Sequence, residues 1–356
     1  MTRARLGLLV TGVTVVALAA TPRFMGEGAQ RFLSECLLML AMAEMWNLLA
    51  GYGGLVSMGQ QVFVGIGAYC LFFTSMSLNV APYWVLPLTP LVCALVAAAI
   101  ALFLFRLREA YFAIGMWVFS EIVSLWVSKT EWLGGERGMG LRTARLVDAR
   151  WLEPLTFWMS AAIAVGAVAG TYLLMKSRLG LGLMTVRDND VAATSIGVDV
   201  WWNRFVAFVI SAAGCGLAGA VSFNATLYVA PGFAFDPNWV VAMMFIVLMG
   251  GIGTLEGPIL GTIIYFVLRE VVTDVLTLSP SWYLVALGAV AMAAMLFAPE
   301  GLWPMVRDRW GLDWLSVRRR PPIRSRDDEL VARGHPVYAG DAPREGGAAP
   351  PGARSC

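Results

Sequence analysis

The sequence predicts an all-α polytopic membrane protein: about ten transmembrane helices, interrupted by Gly-rich broken or re-entrant segments. Three observations carry this. Of 356 residues, 58% are hydrophobic and only 14% charged, against roughly 25% charged in a soluble domain. The few charges are bunched, so that no Asp, Glu, Lys or Arg lies between Glu44 and Arg106, and further charge-free runs cover 154–175, 205–235, 237–255 and 275–299. A bilayer-crossing helix needs about 20 mostly apolar residues, which these runs supply. Gly-rich stretches at 51–59 and 250–261 then separate successive apolar spans. This composition excludes a water-soluble enzyme, a nucleic-acid binder and a secreted disulfide scaffold.

Taken in order, charges and turn residues bound spans at about 6–21, 32–50, 60–77, 84–105, 110–128, 154–175, 205–226, 238–254, 257–276 and 282–298. The first follows Arg3 and Arg5 and ends near Ala17-Leu18-Ala19, a pattern shared with cleavable secretory signals. A retained helix is the expectation in a polytopic chain. Two rows of small residues, Ala162/Gly166/Gly170 and Ala212/Gly216/Ala220, have the spacing that brings helix backbones together in lipid. Residues 1–31 thus form a first helix and external loop, 32–302 a transmembrane domain, and 303–356 a basic tail. The tail holds ten Arg after Pro299. By the positive-inside rule it is cytoplasmic, and ten spans place the N-terminus there too. From about 316 it is too polar to bury a core and is expected to be disordered. Its basic part is suited to anionic lipid, or it is a solvated, idle extension.

Rare residue types exclude more chemistry. His335 is the only His and lies in the tail, and the five Cys show no metal-ligand spacing. Lys129 and Lys176 are the only Lys, and neither completes a phosphate-binding loop. The chain is not expected to be an enzyme or to hold a cofactor. ATP, if it drives transport, is hydrolysed by another chain.

The polar segment 176–204 cannot span. Asp188, Asn189 or Asp190 can cap a short helix from near Val191 through Ala192, Ala193 and Ile196, with Gly197 as its stop. Within it, Ser177-Arg178-Leu-Gly180, Arg187-Asp-Asn-Asp190, Ala192-Ala193 and Gly197 resemble the cytoplasmic coupling segment of ABC-importer permeases for branched-chain amino acids. Asn47–Tyr69, Tyr111–Ile122 and Gly250–Gly261 resemble three further motifs of that family, so the likeness covers about 32–302. The Tyr111 motif and the Gly134-Gly135 loop resemble its LivM-type subunit. Departures are Leu133 where Thr is common, Met184-Thr185-Val186 where Arg-Ala-Ile is frequent, and Gln60 in place of His.

The resemblance implies an inner-membrane permease bundle that imports branched-chain amino acids or a related amide, urea or carboxylate. It also implies partners: a LivH-type second permease, two cytoplasmic ATPases and a periplasmic solute-binding protein. Ser177, Arg178, Gly180, Arg187, Asp190, Ala192, Ala193 and Gly197 would couple to the ATPases. The pathway residues to be tested are Glu44, Asn47, Ser57, Gln60, Gln61, Glu121, Gly250, Gly251 and Gly253. Hydropathy alone reads Gly51–Gly59 as a surface turn, whereas the resemblance admits a broken helix lining the path. Glu44 and Glu121 should turn toward the bundle or a cavity, as pathway groups or interhelical anchors, because lipid does not accept a carboxylate. Glu256 is placed to cap a helix start. The mixed-charge loop 129–153 either meets the binding protein or is a solvated loop with interfacial Trp. A stand-alone channel or ion-driven carrier is the alternative, disfavoured by so few ionisable groups in the spans.

Overall fold

The computed structural model describes residues 26–107, 110–147, 149–275, 280–298 and 301–310. The expected first helix and the expected disordered tail lie outside these. The chain divides into units Met1–Val317 and Arg318–Cys356, and only the first contains described residues.

That unit is helical. In order it contains α1 (Glu27–Asn47, continued by a π-turn Leu48–Tyr52), α2 (Gln61–Leu78), α3 (Pro82–Val85), α4 (Leu88–Leu104) and α5 (Ala110–Lys129). Then come a two-residue strand β1 (Met139–Gly140), α6 (Ala149–Lys176), α7 (Arg178–Asp188), α8 (Asp190–Ser195) and α9 (Val200–Thr226). The remainder is β2 (Tyr228–Val229), α10 (Pro231–Ala234), α11 (Asn238–Gly250), α12 (Gly257–Glu270), α13 (Pro280–Phe297) and α14 (Leu302–Trp310).

Seven helical stretches among the described residues are long and apolar enough to cross a membrane: 27–52, 61–78, 82–104, 110–129, 150–176, 200–226 and 231–250. The expected ten include the span 6–21, which lies outside the described residues, so seven is the count among those described. α12 has 14 residues and ends at Arg269 and Glu270, passing into a π-turn Val271–Val275, while α13 contributes the shorter apolar stretch Trp282–Ala293.

α9 is the axis of the packing, touching α1, α2, α4 and α6. Its small residues make this possible. Ala212, Cys215, Ala218 and Ala220 are fully buried, and a side chain on Gly216 would strike Cys93 of α4 while one on Gly67 would strike the Gly216 backbone. Without a hydrophobic drive between helices in lipid, such backbone approach is the main source of cohesion. The row Ala212/Gly216/Ala220 behaves as expected. Ala162/Gly166/Gly170 does not pack in this way among the described residues: it faces outward, and a side chain added at Gly166 or Gly170 would meet no described neighbour within 4 Å. Phe63, Phe105 and Phe112 pack their rings around Phe208 on the same axis.

Side-chain bonds set the directions. Met45 meets Ser211 and Met42 meets Cys215, so α1 and α9 run antiparallel. Gln60 meets Ser211 and Val64 meets Gly219, so α2 runs parallel to α9. At the end away from α7 and α8, the loop 130–147 closes over the bundle. β1 pairs antiparallel with β2, the Leu141 N–H donates to Leu227 O, and Ser75 bonds Thr143 at 2.6 Å. Arg31 pairs with Glu153 and Arg269 with Glu35, tying α1 to α6 and α12.

Candidate functional site

The segment after α6 forms the expected connector. The Asn189 side chain accepts from the N–H groups of Val191 and Ala192 at 2.9 and 3.0 Å, so it is the cap among the three residues considered. Gly197 takes φ of +83° and stops the chain there, as a left-handed stop requires. Arg204 grips both oxygens of Asp190 at 2.8 and 2.9 Å, which fixes α8 against the start of α9. Ala193 is buried, while Ala192, Val191 and Ile196 present an apolar surface outward. Ser177 precedes α7 but turns its hydroxyl back to Leu174 O, and Arg178 is exposed. Gly180 has no room for a side chain against the backbone of Met175.

Arg187, exposed at the end of α7, reaches from this connector to the end of the bundle. Its Nη1 donates to Gly51 O at 2.8 Å, inside the π-turn that ends α1. The same guanidinium lies against Gly253, where φ is +72° and a side chain would collide with it. Gly54 sits against the Arg187 Cα. Asn47 completes the knot, donating to Thr254 O at 2.8 Å and accepting from the Gly253 N–H at 2.9 Å. Three segments far apart in sequence, 47–54, 187 and 251–254, therefore meet at one point.

Each is held by local chemistry. α11 and α12 form a hairpin whose backbones touch at Gly250 against Gly257 and at Ile246 against Gly261. Thr254 closes its tip, donating to Gly251 O and accepting from the Gly257 N–H. Thr254 thus performs the capping expected of Glu256, which occupies the N-cap position without a side-chain cap bond. Gly301, at the start of α14, rests on Gly250 and Gly251.

Between Gly53 and Gln60 the chain is neither a surface turn nor helix. It doubles back along α1: the Leu55 N–H donates to Leu49 O, Trp46 Nε1 donates to Ser57 O at 2.9 Å, and Gln60 reaches Ser211, which itself bonds Met45 O. From Tyr52 back to Met45 is seven helical positions, so α2 starts about 10 Å up from the end of α1. Leu55, Ser57 and Gly59 face inward and Gly54, Val56 and Met58 outward, the alternation of an extended strand.

The expected pathway residues thus divide. Asn47, Gly250, Gly251 and Gly253 belong to the junction. Ser57 and Gln60 are fully buried and serve the doubling-back, Ser57 through its carbonyl and its hydroxyl contact to the Gly59 N–H. Gln61 is also fully buried, and neither end of its amide has a hydrogen-bond partner among the described residues. Glu44 is fully buried beside Asn47, whose amide is committed to residues 253 and 254, and its carboxyl oxygens find no bond of good geometry among the described residues. Glu121 departs from expectation. α5 packs inward through Phe112, Ala113, Met116, Ser120 and Val127, which leaves Glu121 on the outer face with Ile114, Trp117 and Leu125. The reason is visible in the sequence after the fact: Ser120 and Met116 continue the inward row, and Glu121 is one position past it.

Trp46, Ser211, Thr254 and Arg204 also support the site and were not singled out from sequence. Ser211 had a signal, being a hydroxyl within the charge-free run of α9, and Thr254 another in the Gly-x-Gly-Thr stretch. Elsewhere, an apolar groove of about 590 Å³ at the loop end is lined by Tyr83, Trp84, Trp151 and Trp158.

No solved structure matches the chain. Among curated proteins it is 26% identical over 327 residues to the high-affinity branched-chain amino acid transport system permease protein LivM of Salmonella typhimurium, covering 84% of this chain and 75% of that one. To LivM of Escherichia coli it is 27% identical over 329 residues, with the same coverage. To the autoinducer 2 import system permease protein LsrC of Photorhabdus luminescens it is 25% identical over 324 residues, covering 84% and 90%. A family model described as the permease component of branched-chain amino acid transport systems matches residues 30–295. With its apolar helices, this multi-pass membrane chain belongs to the family of branched-chain amino acid transport permease components.

Proposed function

We propose that the chain is one of two permease subunits of an ATP-driven importer in the bacterial inner membrane, with both termini cytoplasmic. Cytoplasmic ATPases dock on α7 and α8, a LivH-type subunit completes the bundle, and a periplasmic protein delivers the solute. The solute is a branched-chain amino acid or a related small polar molecule. The names of the relatives span amino acids and autoinducer 2, so the delivering protein sets that choice.

The observation that carries the reading is the bond from Arg187 to Gly51 O together with its contact to Gly253. A connector that only joined two spans has no need to send a guanidinium into two helix breaks. Movement of α7 by a docked ATPase pulls on the end of α1 and on the α11–α12 tip together, and those are places where the backbone bends most easily. The exposed Val191 and Ile196 give the ATPase an apolar contact, and Ala192 lets it approach closely.

The complex reconstituted in liposomes with its ATPases and binding protein tests this. Arg187→Ala should leave ATP hydrolysis running while ATP-driven uptake of leucine falls about tenfold or more, the equivalent of one charge-assisted hydrogen bond. Uptake unchanged by this variant and by disruption of Ala192-Ala193 would remove the coupling role from this segment.

A further inference from the structure

The doubling-back segment has one face that no described residue satisfies. Val56 and Met58 are 42% and 41% exposed, although Leu55, Ser57 and Gly59 between and beside them are buried. The backbone N–H and C=O of Val56 and of Met58 make no hydrogen bond to any described residue. The depth is fixed by the bond from Trp46 to Ser57 O, six helical positions above Tyr52, or about 9 Å along a stretch of roughly 39 Å. A hydrocarbon core is about 30 Å thick, and the charged Arg31 and Glu35 put the overhang of this stretch at its far end, so these peptide groups lie inside the core's boundary.

Irregular backbone with open polar groups does not face lipid at that depth; it is covered by protein or lines water. We propose that the outer edge of 54–58 lines the aqueous path of the solute, and that its peptide groups and the side chains of Val56 and Met58 are what the solute meets there. This rests on the permease reading above and moves the lining from the side chains of Ser57, Gln60 and Gln61 to the opposite face of the same segment. The chemistry suits a small zwitterion with an aliphatic side chain: open N–H and C=O groups for its charged end, a valine and a flexible thioether for its apolar end. Each contact is weak and shared with water, as a path that must release its cargo requires. Gly54, at the head of the edge, touches Arg187, so the edge is attached to the part that the ATPases move.

Single cysteines at 55, 56, 57 and 58 in the assembled transporter test this, with a charged methanethiosulfonate and a lipid-soluble maleimide as probes. Val56→Cys and Met58→Cys should react with the charged reagent about tenfold faster than Leu55→Cys and Ser57→Cys, since only an exposed, hydrated thiol reacts readily, and leucine should slow them. Reaction with the maleimide alone would place the edge in lipid and overturn the proposal. So would no reaction with either probe combined with cross-linking to the neighbouring permease. Hydroxyl-radical footprinting of the unsubstituted complex needs no variant: Met58 should oxidise faster than buried Met42 and Met45, and equal protection of all three also overturns it. ATP-driven uptake by the same complex is measured alongside. Uptake that persists while the edge proves dry leaves the permease reading standing and removes only this inference.

Discussion

At the residue scale, the junction depends on groups that each bond twice. Asn47 holds residues 253 and 254 with one amide. Asn47→Ala leaves the half-buried Gly253 N–H and Thr254 carbonyl without this partner, and loss of about 1–2 kcal/mol is expected. A lower unfolding temperature in detergent, with helix content of the folded form unchanged, is the measurement. Gly216 is under a different constraint, since Cys93 and the Phe63 carbonyl occupy the space where a side chain would go. Gly216→Val should cost about 1–3 kcal/mol from overpacking, read as reduced yield of folded protein. Some of this was legible in the sequence. The small-residue row of α9, the cap near Asn189 and the stop at Gly197 follow from spacing and residue type. Glu121 was misplaced because one carboxylate in an apolar helix says that lipid is unwelcome, not which neighbour replaces it.

At the element scale, α8 is a six-residue helix that could not persist alone, given the unfavourable nucleation of short helices. Its cap and the Asp190–Arg204 fork hold it in place. Asn189→Ala should loosen it by about 1 kcal/mol and weaken retention of the ATPases during purification, while the transmembrane helices keep their unfolding temperature. The two Gly-rich stretches were recognisable as breaks from composition, and their opposite architectures were not. Residues 250–257 close a tight helical hairpin, whereas 53–60 run back extended. That difference is made by tertiary partners, Trp46 and Ser211 for one and Gly257 and Ile246 for the other, which no local pattern announces.

At the scale of the whole molecule, charge is concentrated at the two ends of the bundle. Within its long apolar stretches, Glu35 and Glu153 are paired with Arg269 and Arg31, while Glu44 and Glu121 lie on separate helices and face different ways. Such a pair does not form a proton relay, which needs ionisable groups in succession. Uptake by the reconstituted complex is therefore expected to require ATP and to survive collapse of proton and sodium gradients by ionophores. Abolition of uptake by ionophores at constant ATP would favour an ion-driven carrier.

The height at which α2 begins has a consequence for how the sequence can change. An extended segment advances about 3.3 Å per residue, against about 1.5 Å in a helix, so its length acts as a ruler between the junction below and Ser75–Thr143 above. Removing one residue from 54–59 should draw α2 down by about 3 Å, turn Val56 and Met58 to the other face, and detach the loop that closes the far end. Insertions and deletions ought to be tolerated in the loop 129–147 and purged from this stretch of six, a bias that a library of single-residue indels selected for uptake would reveal.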